Sequence, residues 1–253
     1  MNKIGLCSVT FRGKPAEEVI EIAKKNGLDC IEWGGDIHVP YGDTQIAARV
    51  GEATRKSGLE CNSYGSYFRC DSLENFKPVS QAAKALGATV IRVWAGEKDS
   101  EKFSDEEFNR LVETVVECAD YAKKFGQKIA FEYHYGTYCN NSESVVKLLD
   151  AVRKENVGTY WQPAYWLGDM GDSERIAKNL AAIEIIKERL INVHVYQWRG
   201  FERFPLSAGE EEWALYMKRL PSHCNCLLEF VKDDEVQNFE EDIKTLKNLV
   251  RSK

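Results

Sequence analysis

The chain has 253 residues, of which 43% are hydrophobic, and it carries a formal net charge of −6 from 34 basic and 40 acidic residues. An acidic chain is a poor candidate for a nucleic-acid partner, because such proteins need a basic face to displace counterions from phosphates. The length suits one large α/β domain with a substantial core, and no Pro/Gly/Ser-rich stretch divides it. We therefore predict a single domain over residues 1–253.

The cysteines and the apolar runs predict a cellular location. Eight cysteines are scattered along the chain. A chain of this size does not need disulfides, so buried free thiols are the better interpretation. No apolar run approaches the roughly 20 residues of a membrane span, and the first residues lack a signal-peptide core. A cytoplasmic protein with no membrane partner is expected.

A recurring unit runs along the chain: an amphipathic helix, a glycine, then a short apolar strand. Gly27, Gly58, Gly87 and Gly126 each stand where a predicted helix should stop, because glycine readily adopts the left-handed conformation that ends helices. Strands are predicted at residues 4–8, 30–33, 60–63, 89–94, 128–132, 158–162, 191–196 and 226–230. Helices are predicted at residues 15–26, 44–57, 75–86, 105–125, 142–154, 173–188, 209–219 and 236–251. This alternation predicts a closed (β/α)8 barrel, the TIM barrel of the α/β class.

The alternative architecture is an open doubly wound sheet. Its dinucleotide-binding form needs a glycine-rich turn after the first strand. The corresponding turn, residues 8–13, has no GxGxxG pattern. The barrel is therefore the favoured fold.

Four residues able to bind a metal follow apolar runs in the second half of the chain: Glu132, Gln162, His194 and Glu229. Side chains alternate across a strand, and this alternation places Glu132, His194 and Glu229 opposite their apolar neighbours, facing into the barrel. A buried polar group costs several kcal/mol unless something pairs with it. We expect these strand ends to converge on one ion, with pairing to Arg92 as the alternative for the carboxylates.

The order and spacing of these residues resemble the xylose isomerase-like TIM barrel superfamily, specifically the sugar phosphate isomerase/epimerase family, over the whole chain. In that family a metal is held by a glutamate, an acidic residue, a histidine and a glutamate that end the fifth to eighth strands. The resemblance implies Glu132, Gln162, His194 and Glu229 as ligands of a divalent metal such as Mn, Co, Mg or Zn. The loop at residues 34–40 is similar to the family's substrate-facing loop.

The sixth strand departs from the family pattern. The family usually shows Asp-x-x-His there, and this chain has Gln162 and Tyr165 at the same positions. A glutamine oxygen can bind a hard cation but brings no charge, so we expect weaker metal binding.

Aromatic side chains crowd the predicted strand ends, which suits a polyol because the C–H faces of sugars pack on aromatic rings. His134, two residues beyond Glu132, is a candidate for proton transfer, with packing in its loop as the alternative. Arg203 is a candidate clamp for a substrate carboxylate or phosphate. The candidate substrate-binding residues are His38, Tyr64, Trp94, Tyr165, Tyr196 and Arg203.

The leading hypothesis is a metal-dependent isomerase or epimerase of a ketose or polyol. Glu132 and Glu229 would exchange a proton with the substrate through a metal-stabilised enediolate, with His134 as an alternative base. A dehydratase of the inosose or dehydroshikimate type, or a non-catalytic sugar-binding barrel with a degraded metal site, are the alternatives. The related apurinic endonucleases need a histidine-rich site, and this chain has four histidines in all. The resemblance also implies a possible homo-oligomer.

Overall fold

The strands close into a barrel. The structure, a computed structural model, describes residues 2–167 and 170–252. Its strands are β1 (Ile4–Cys7), β2 (Cys30–Gly34), β3 (Glu60–Gly65), β4 (Val90–Val93), β5 (Lys128–Phe131), β6 (Val157–Trp161), β7 (Leu190–Val195), β8 (Gln197–Arg199), β9 (Glu202–Phe204) and β10 (Asn225–Leu228). All of these except β8 and β9 pair in parallel, in chain order, and β10 returns to pair with β1. The predicted (β/α)8 barrel is confirmed.

The helices alternate with the barrel strands. They are α1 (Ala16–Lys25), α2 (Thr44–Lys56), α3 (Leu73–Leu86), α4 (Asp105–Lys123), α5 (Ser142–Val152), α6 (Asp172–Ile186), α7 (Glu210–Arg219) and α8 (Val236–Arg251). Every predicted helix and barrel strand ends within two residues of its observed position. No helix in the described part of the chain is long and apolar enough to cross a membrane.

Short-range sequence signals set the helix ends. At the start of α4, the Ser104 hydroxyl accepts the Glu107 N–H at 3.2 Å, and the Glu107 carboxylate accepts the Ser104 N–H at 2.8 Å. This reciprocal capping satisfies two N–H groups that have no partner inside the helix. At the end of α3, Gly87 adopts a φ of +87°, so the chain can turn directly into β4.

The apolar core lies between the barrel and its ring of helices. Trp161 of β6 is fully buried, and its ring lies 6.0 Å from Trp213 and 5.3 Å from Tyr216, both on α7. Alternation along β6 turns this side chain outward, toward the helices. All eight cysteines are buried and none forms a disulfide, as expected. The inward faces of the strands are therefore left to carry polar groups.

A hairpin after β7 was not predicted. The strands β8 and β9 pair antiparallel, with Trp198 opposite Arg203. Gly200 takes a φ of +56° in the two-residue turn, and Phe201 at the tip is 76% exposed. A glycine in a two-residue turn is the usual signal for such a hairpin. The hairpin carries its aromatic residues above the barrel mouth.

Candidate metal centre

The four predicted ligands lie at the C-terminal ends of neighbouring strands. Glu132, Gln162 and Glu229 directly follow β5, β6 and β10 within one residue, and His194 is the penultimate residue of β7. All four are buried, with at most 4% exposure. Parallel strands bring their C-terminal ends to the same mouth of the barrel, which explains the convergence.

The imidazole of His194 is the centre of the cluster. Its Nδ1 atom lies 3.0 Å from Gln162 Oε1, 3.3 Å from Glu229 Oε2 and 3.8 Å from Glu132 Oε1. A cation bound to nitrogen and oxygen at about 2.1 Å places neighbouring ligand atoms roughly 3.0–3.4 Å apart. The donor types and most of this spacing fit a divalent ion. The buried thiol of Cys7 lies within 4.8 Å of ligand atoms of His194 and Glu229, so Cys7 is a further candidate ligand.

One carboxylate of the set is also paired with an arginine. Arg92 Nη1 and Trp94 Nε1 both donate to Glu132 Oε2, and Arg92 is 1% exposed. The predicted alternative, pairing of Glu132 with Arg92, is thus present together with the convergence on His194. Because the two donors occupy Oε2, the other oxygen of Glu132 is the one that faces His194.

A third buried acidic residue, Glu32 of β2, belongs to the cluster and was not among the predicted site residues. Its Oε1 accepts Arg92 Nε at 2.9 Å and lies 3.3 Å from His194 Nε2. Its Oε2 accepts the hydroxyls of Ser63 at 2.6 Å and Tyr160 at 2.8 Å. Glu32 stands between the apolar residues Ile31 and Trp33, so strand alternation puts it on the opposite, inward face, and the signal was present in the sequence.

The charges in this buried space shift one another's pKa. Burial raises the pKa of Glu32 and of Glu132, but the charges of Arg92 and His194 outweigh it and hold both pKa values below normal. Burial raises the pKa of Glu229 to about 7, against the opposing charge of His194. Burial lowers the pKa of His194, yet the carboxylates, Glu229 first, raise it overall. Three carboxylates around one histidine therefore favour any added positive charge.

An aromatic wall rises from the cluster. We use this name for Trp94, His134, Tyr135, Tyr165 and Tyr196. Trp94 stacks on His134 at 4.8 Å, and His134 stacks on Tyr135 at 4.4 Å. Tyr135 lies 6.0 Å from Tyr165, which lies 5.8 Å from Tyr196. The structure therefore brings four predicted site residues into one wall beside Glu132, and adds Tyr135.

The other predicted substrate-binding residues have protein partners. The Tyr64 hydroxyl donates to the Val39 carbonyl at 2.7 Å, and that ring is fully buried. His38 Nδ1 lies 3.0 Å from Ser8 Oγ and is also buried. None of these contacts involves the cluster around His194, so the substrate roles of Tyr64 and His38 stay predictions.

Arg203 lies on the hairpin. Its guanidinium pairs with Asp234 at 2.6 Å and lies about 5 Å from the rings of Trp198 and Phe230. A stacked and paired arginine is held in one place, as a substrate clamp would need to be. Its role also stays a prediction.

The family model of the xylose isomerase-like TIM barrel matches residues 20–249, and the chain belongs to this family. The 3-dehydroshikimate dehydratase of Bacillus anthracis is 22% identical over 166 residues, which cover 61% of this chain and 59% of that protein. The match thus spans about three fifths of the relative's length.

Solved structures share the fold along nearly the whole chain. The probable 3-DHS dehydratase AsbF from Bacillus anthracis superposes with a TM-score of 0.79 at 18% identity, covering 98% of this chain and 99% of that one. A D-psicose 3-epimerase, solved in the presence of D-fructose, gives 0.72 at 16% identity and covers 97% of each chain. The IOLI protein, solved with a binding zinc atom, gives 0.73 at 18% identity, covering 99% and 98%. The proteins that this chain resembles thus include a dehydratase and an epimerase.

Proposed function

We propose that this protein is a metal-dependent isomerase or epimerase of a ketose or related polyol, acting by proton transfer at the carbon beside a carbonyl. The observation that carries the proposal is the convergence of Glu132, Gln162 and Glu229 on Nδ1 of His194 within 3.0–3.8 Å. The aromatic wall stands beside this cluster and offers the C–H faces of a polyol a place to pack.

The ligand set suits a divalent cation. Two carboxylates, one imidazole and one amide oxygen form a set of nitrogen and oxygen donors compatible with Mn²⁺, Co²⁺, Mg²⁺ or Zn²⁺. Arg92 contacts both Glu32 and Glu132 and cancels one of the three carboxylate charges, so two negative charges are left to balance the ion. Gln162 completes the set without adding charge. When bound, the ion would act as a Lewis acid on the substrate's oxygen atoms.

The two carboxylates differ in their surroundings, and this difference suggests their roles. Glu132 already receives two N–H donors on Oε2, whereas the Glu229 carboxylate has His194 as its neighbour. We assign Glu229 to remove the proton from the substrate carbon, because a less hydrogen-bonded carboxylate is the stronger base. Glu132 gives a proton to the opposite face of that carbon in this scheme; it takes this proton from water, and Glu229 releases the removed proton to water before the next turnover. His134, which stacks on Trp94 beside Glu132, is the alternative base.

A dehydratase is the second candidate function. The curated relative at 22% identity is a 3-dehydroshikimate dehydratase. Such a reaction begins with the same proton removal and continues with loss of a hydroxyl group from the next carbon. We assign His134, which stacks on Trp94 beside Glu132, to protonate that leaving hydroxyl. We also propose that the chain works as one domain in a reducing compartment such as the cytoplasm, which suits eight cysteines that form no disulfide.

Proton exchange with heavy water tests the proposal directly. Chelator-stripped protein is supplied with Mn²⁺ or Co²⁺ and incubated in D₂O with a panel of ketoses, inososes and 3-dehydroshikimate. We expect metal-dependent deuterium uptake or epimerisation on at least one ketose, and its loss by about 10²–10⁴-fold in Glu229→Gln. Growth of an enone absorbance would select the dehydratase. If metal binds tightly and no compound exchanges or loses water, the enzymatic proposal is wrong and a sugar-binding barrel is favoured.

A further inference from the structure

Glu32 lies next to the candidate metal centre, on the Nε2 side of the His194 ring, whereas the other proposed ligands lie on its Nδ1 side. It is 2% exposed and comes from β2, whereas the proposed ligands come from β5, β6, β7 and β10. No role was predicted for it. Its position follows from the barrel, because the inward side chains of β2 point across the axis toward β6 and β7.

The two nitrogen atoms of His194 face different partners. Nδ1 faces Gln162, Glu229 and Glu132, and Nε2 faces Glu32 Oε1 at 3.3 Å. A neutral imidazole carries its proton on one nitrogen and offers a lone pair on the other. A cation among the proposed ligands needs the lone pair on Nδ1, and this requires the proton on Nε2. Glu32 is the acceptor placed to receive that proton's hydrogen bond.

Glu32 is itself fixed in place. Arg92 Nε holds its Oε1 at 2.9 Å, and the hydroxyls of Ser63 and Tyr160 hold its Oε2 at 2.6 and 2.8 Å. With both oxygens engaged, the carboxylate cannot rotate to become a ligand. The same guanidinium donates to Glu132 through Nη1. Arg92 therefore holds both Glu132, a proposed ligand, and Glu32, the hydrogen-bond acceptor for the proposed ligand His194.

We propose that Glu32 is a positioning residue, which holds His194 as the Nε2–H tautomer and so presents Nδ1 to the cation. The inference rests on the proposed function, since it assumes that the cluster binds a divalent ion. A carboxylate behind a metal-binding histidine fixes the ring's orientation, and its loss typically weakens metal binding by about 10–100-fold.

The test measures zinc binding and the protonation of His194 separately. Zinc affinity is measured by calorimetry with a competing chelator for the wild type, for Glu32→Gln and for Asp242→Asn. Asp242 on α8 is another buried carboxylate, 3% exposed, whose Oδ1 accepts the Leu206 N–H at 2.8 Å outside the cluster. Glu32→Gln should weaken zinc binding by about 10–100-fold, and Asp242→Asn should leave it unchanged within about threefold.

Nitrogen NMR of ¹⁵N-histidine protein gives the second readout, which a purely structural role of Glu32 would not determine. The chain has four histidines, so the resonances can be assigned by substitution. In the zinc-loaded wild type, His194 should carry its proton on Nε2 and show a zinc-induced shift at Nδ1. This measurement needs no change at Glu32, so it stands even if Glu32→Gln fails to fold.

The outcomes separate the two proposals. Zinc binding by the wild type with Nε2 as the coordinating atom would overturn the role of Glu32 and leave the metal centre standing. Unchanged zinc affinity in a folded Glu32→Gln would do the same. A wild type that binds no divalent ion would remove the metal centre, and the positioning role with it.

Discussion

The strands from the two halves of the chain contribute differently to the barrel mouth. We call β5, β6, β7 and β10 the ligand strands, because they carry Glu132, Gln162, His194 and Glu229. We call β2, β3 and β4 the support strands. They contribute Glu32, Ser63 and Arg92, whose polar atoms contact one another or the ligands. The ligand strands provide the atoms proposed to bind the metal. The side chains of the support strands hold these ligands in position through hydrogen bonds and ion pairs.

The comparison shows how a buried charged cluster can be stable. Removing several charges from water is costly unless each has partners with good geometry. Arg92 provides these partners across the two halves, because it reaches Glu32 on a support strand and Glu132 on a ligand strand. The two groups of strands also share contacts, because the Tyr160 hydroxyl on the ligand strand β6 donates to Glu32 on the support strand β2.

The largest expected effect comes from the ligand strands. His194→Gln removes the atom on which the other proposed ligands converge. We expect at least 100-fold weaker Mn²⁺ or Zn²⁺ binding by calorimetry, and a loss of about 10²–10⁴-fold in metal-dependent proton exchange. His223→Gln is the matched control, because His223 is exposed. Equal metal affinity in wild type and His194→Gln would place the metal elsewhere.

The support strands should matter most for stability. Arg92→Met leaves Glu32 and Glu132 buried without their cation, which should cost about 3–5 kcal/mol in the free energy of unfolding of the metal-free protein. Urea denaturation measures this. Arg189→Met removes an exposed pair with Asp150 and should change stability by less than about 1 kcal/mol. Similar losses in both variants would contradict the assigned role of Arg92.

Gly65 at the end of β3 tests how tightly the support strands pack. A Cβ atom there would lie 2.5 Å from Arg92 Nη2 and 3.1 Å from Glu32 Oε1. Gly65→Ala should therefore displace the arginine and cost about 1–3 kcal/mol, with weaker metal binding as a second sign. Gly13→Ala is the control, because a Cβ there meets nothing within 4 Å. A fully stable Gly65→Ala would mean that the arginine moves without cost.

Asp242 shows what burial does to a carboxylate without an arginine partner. Burial raises its pKa to about 6, above an unfolded value of about 3.9. The resulting stability is present below pH 4 and is lost as the pH rises through 6. Asp242→Asn keeps an oxygen for the Leu206 N–H and has no charge to bury. It should match the wild type at pH 4 and exceed it by about 1–2 kcal/mol at pH 8.

Urea denaturation at both pH values measures this difference. A variant that gains nothing between pH 4 and pH 8 would show that Asp242 is solvated when ionised. In that case burial alone would not account for a raised carboxyl pKa in this protein.

The sequence was sufficient for the barrel and for most of the ligand strands. Helix stops at Gly58 or Gly87 and the alternation around Glu132 and His194 depend on near neighbours in the chain, so one sequence reveals them. Gln162 was found because it also follows an apolar run, and the family resemblance suggested its place in the ligand set. These are short-range patterns, and the structure places the corresponding elements within two residues of prediction.

The support strands were harder to predict, because their function depends on contacts between distant residues. Glu32 and Arg92 are 60 positions apart, and Glu32 and His194 are 162 apart. Alternation shows that Glu32 points inward, but it does not show which groups lie opposite. The hairpin was missed for another reason: its three-residue strands are too short for a clear alternation, although Gly200 marks the turn.

Trp94 has a consequence for how the centre could be observed. Its indole N–H donates to Glu132, and its ring stacks on His134. An indole bound to a carboxylate changes its emission when that carboxylate's charge is drawn elsewhere. Metal binding at the centre should therefore change the fluorescence of Trp94, and this signal follows binding in real time without a label. Comparison with Trp94→Phe separates it from the emission of the other tryptophans.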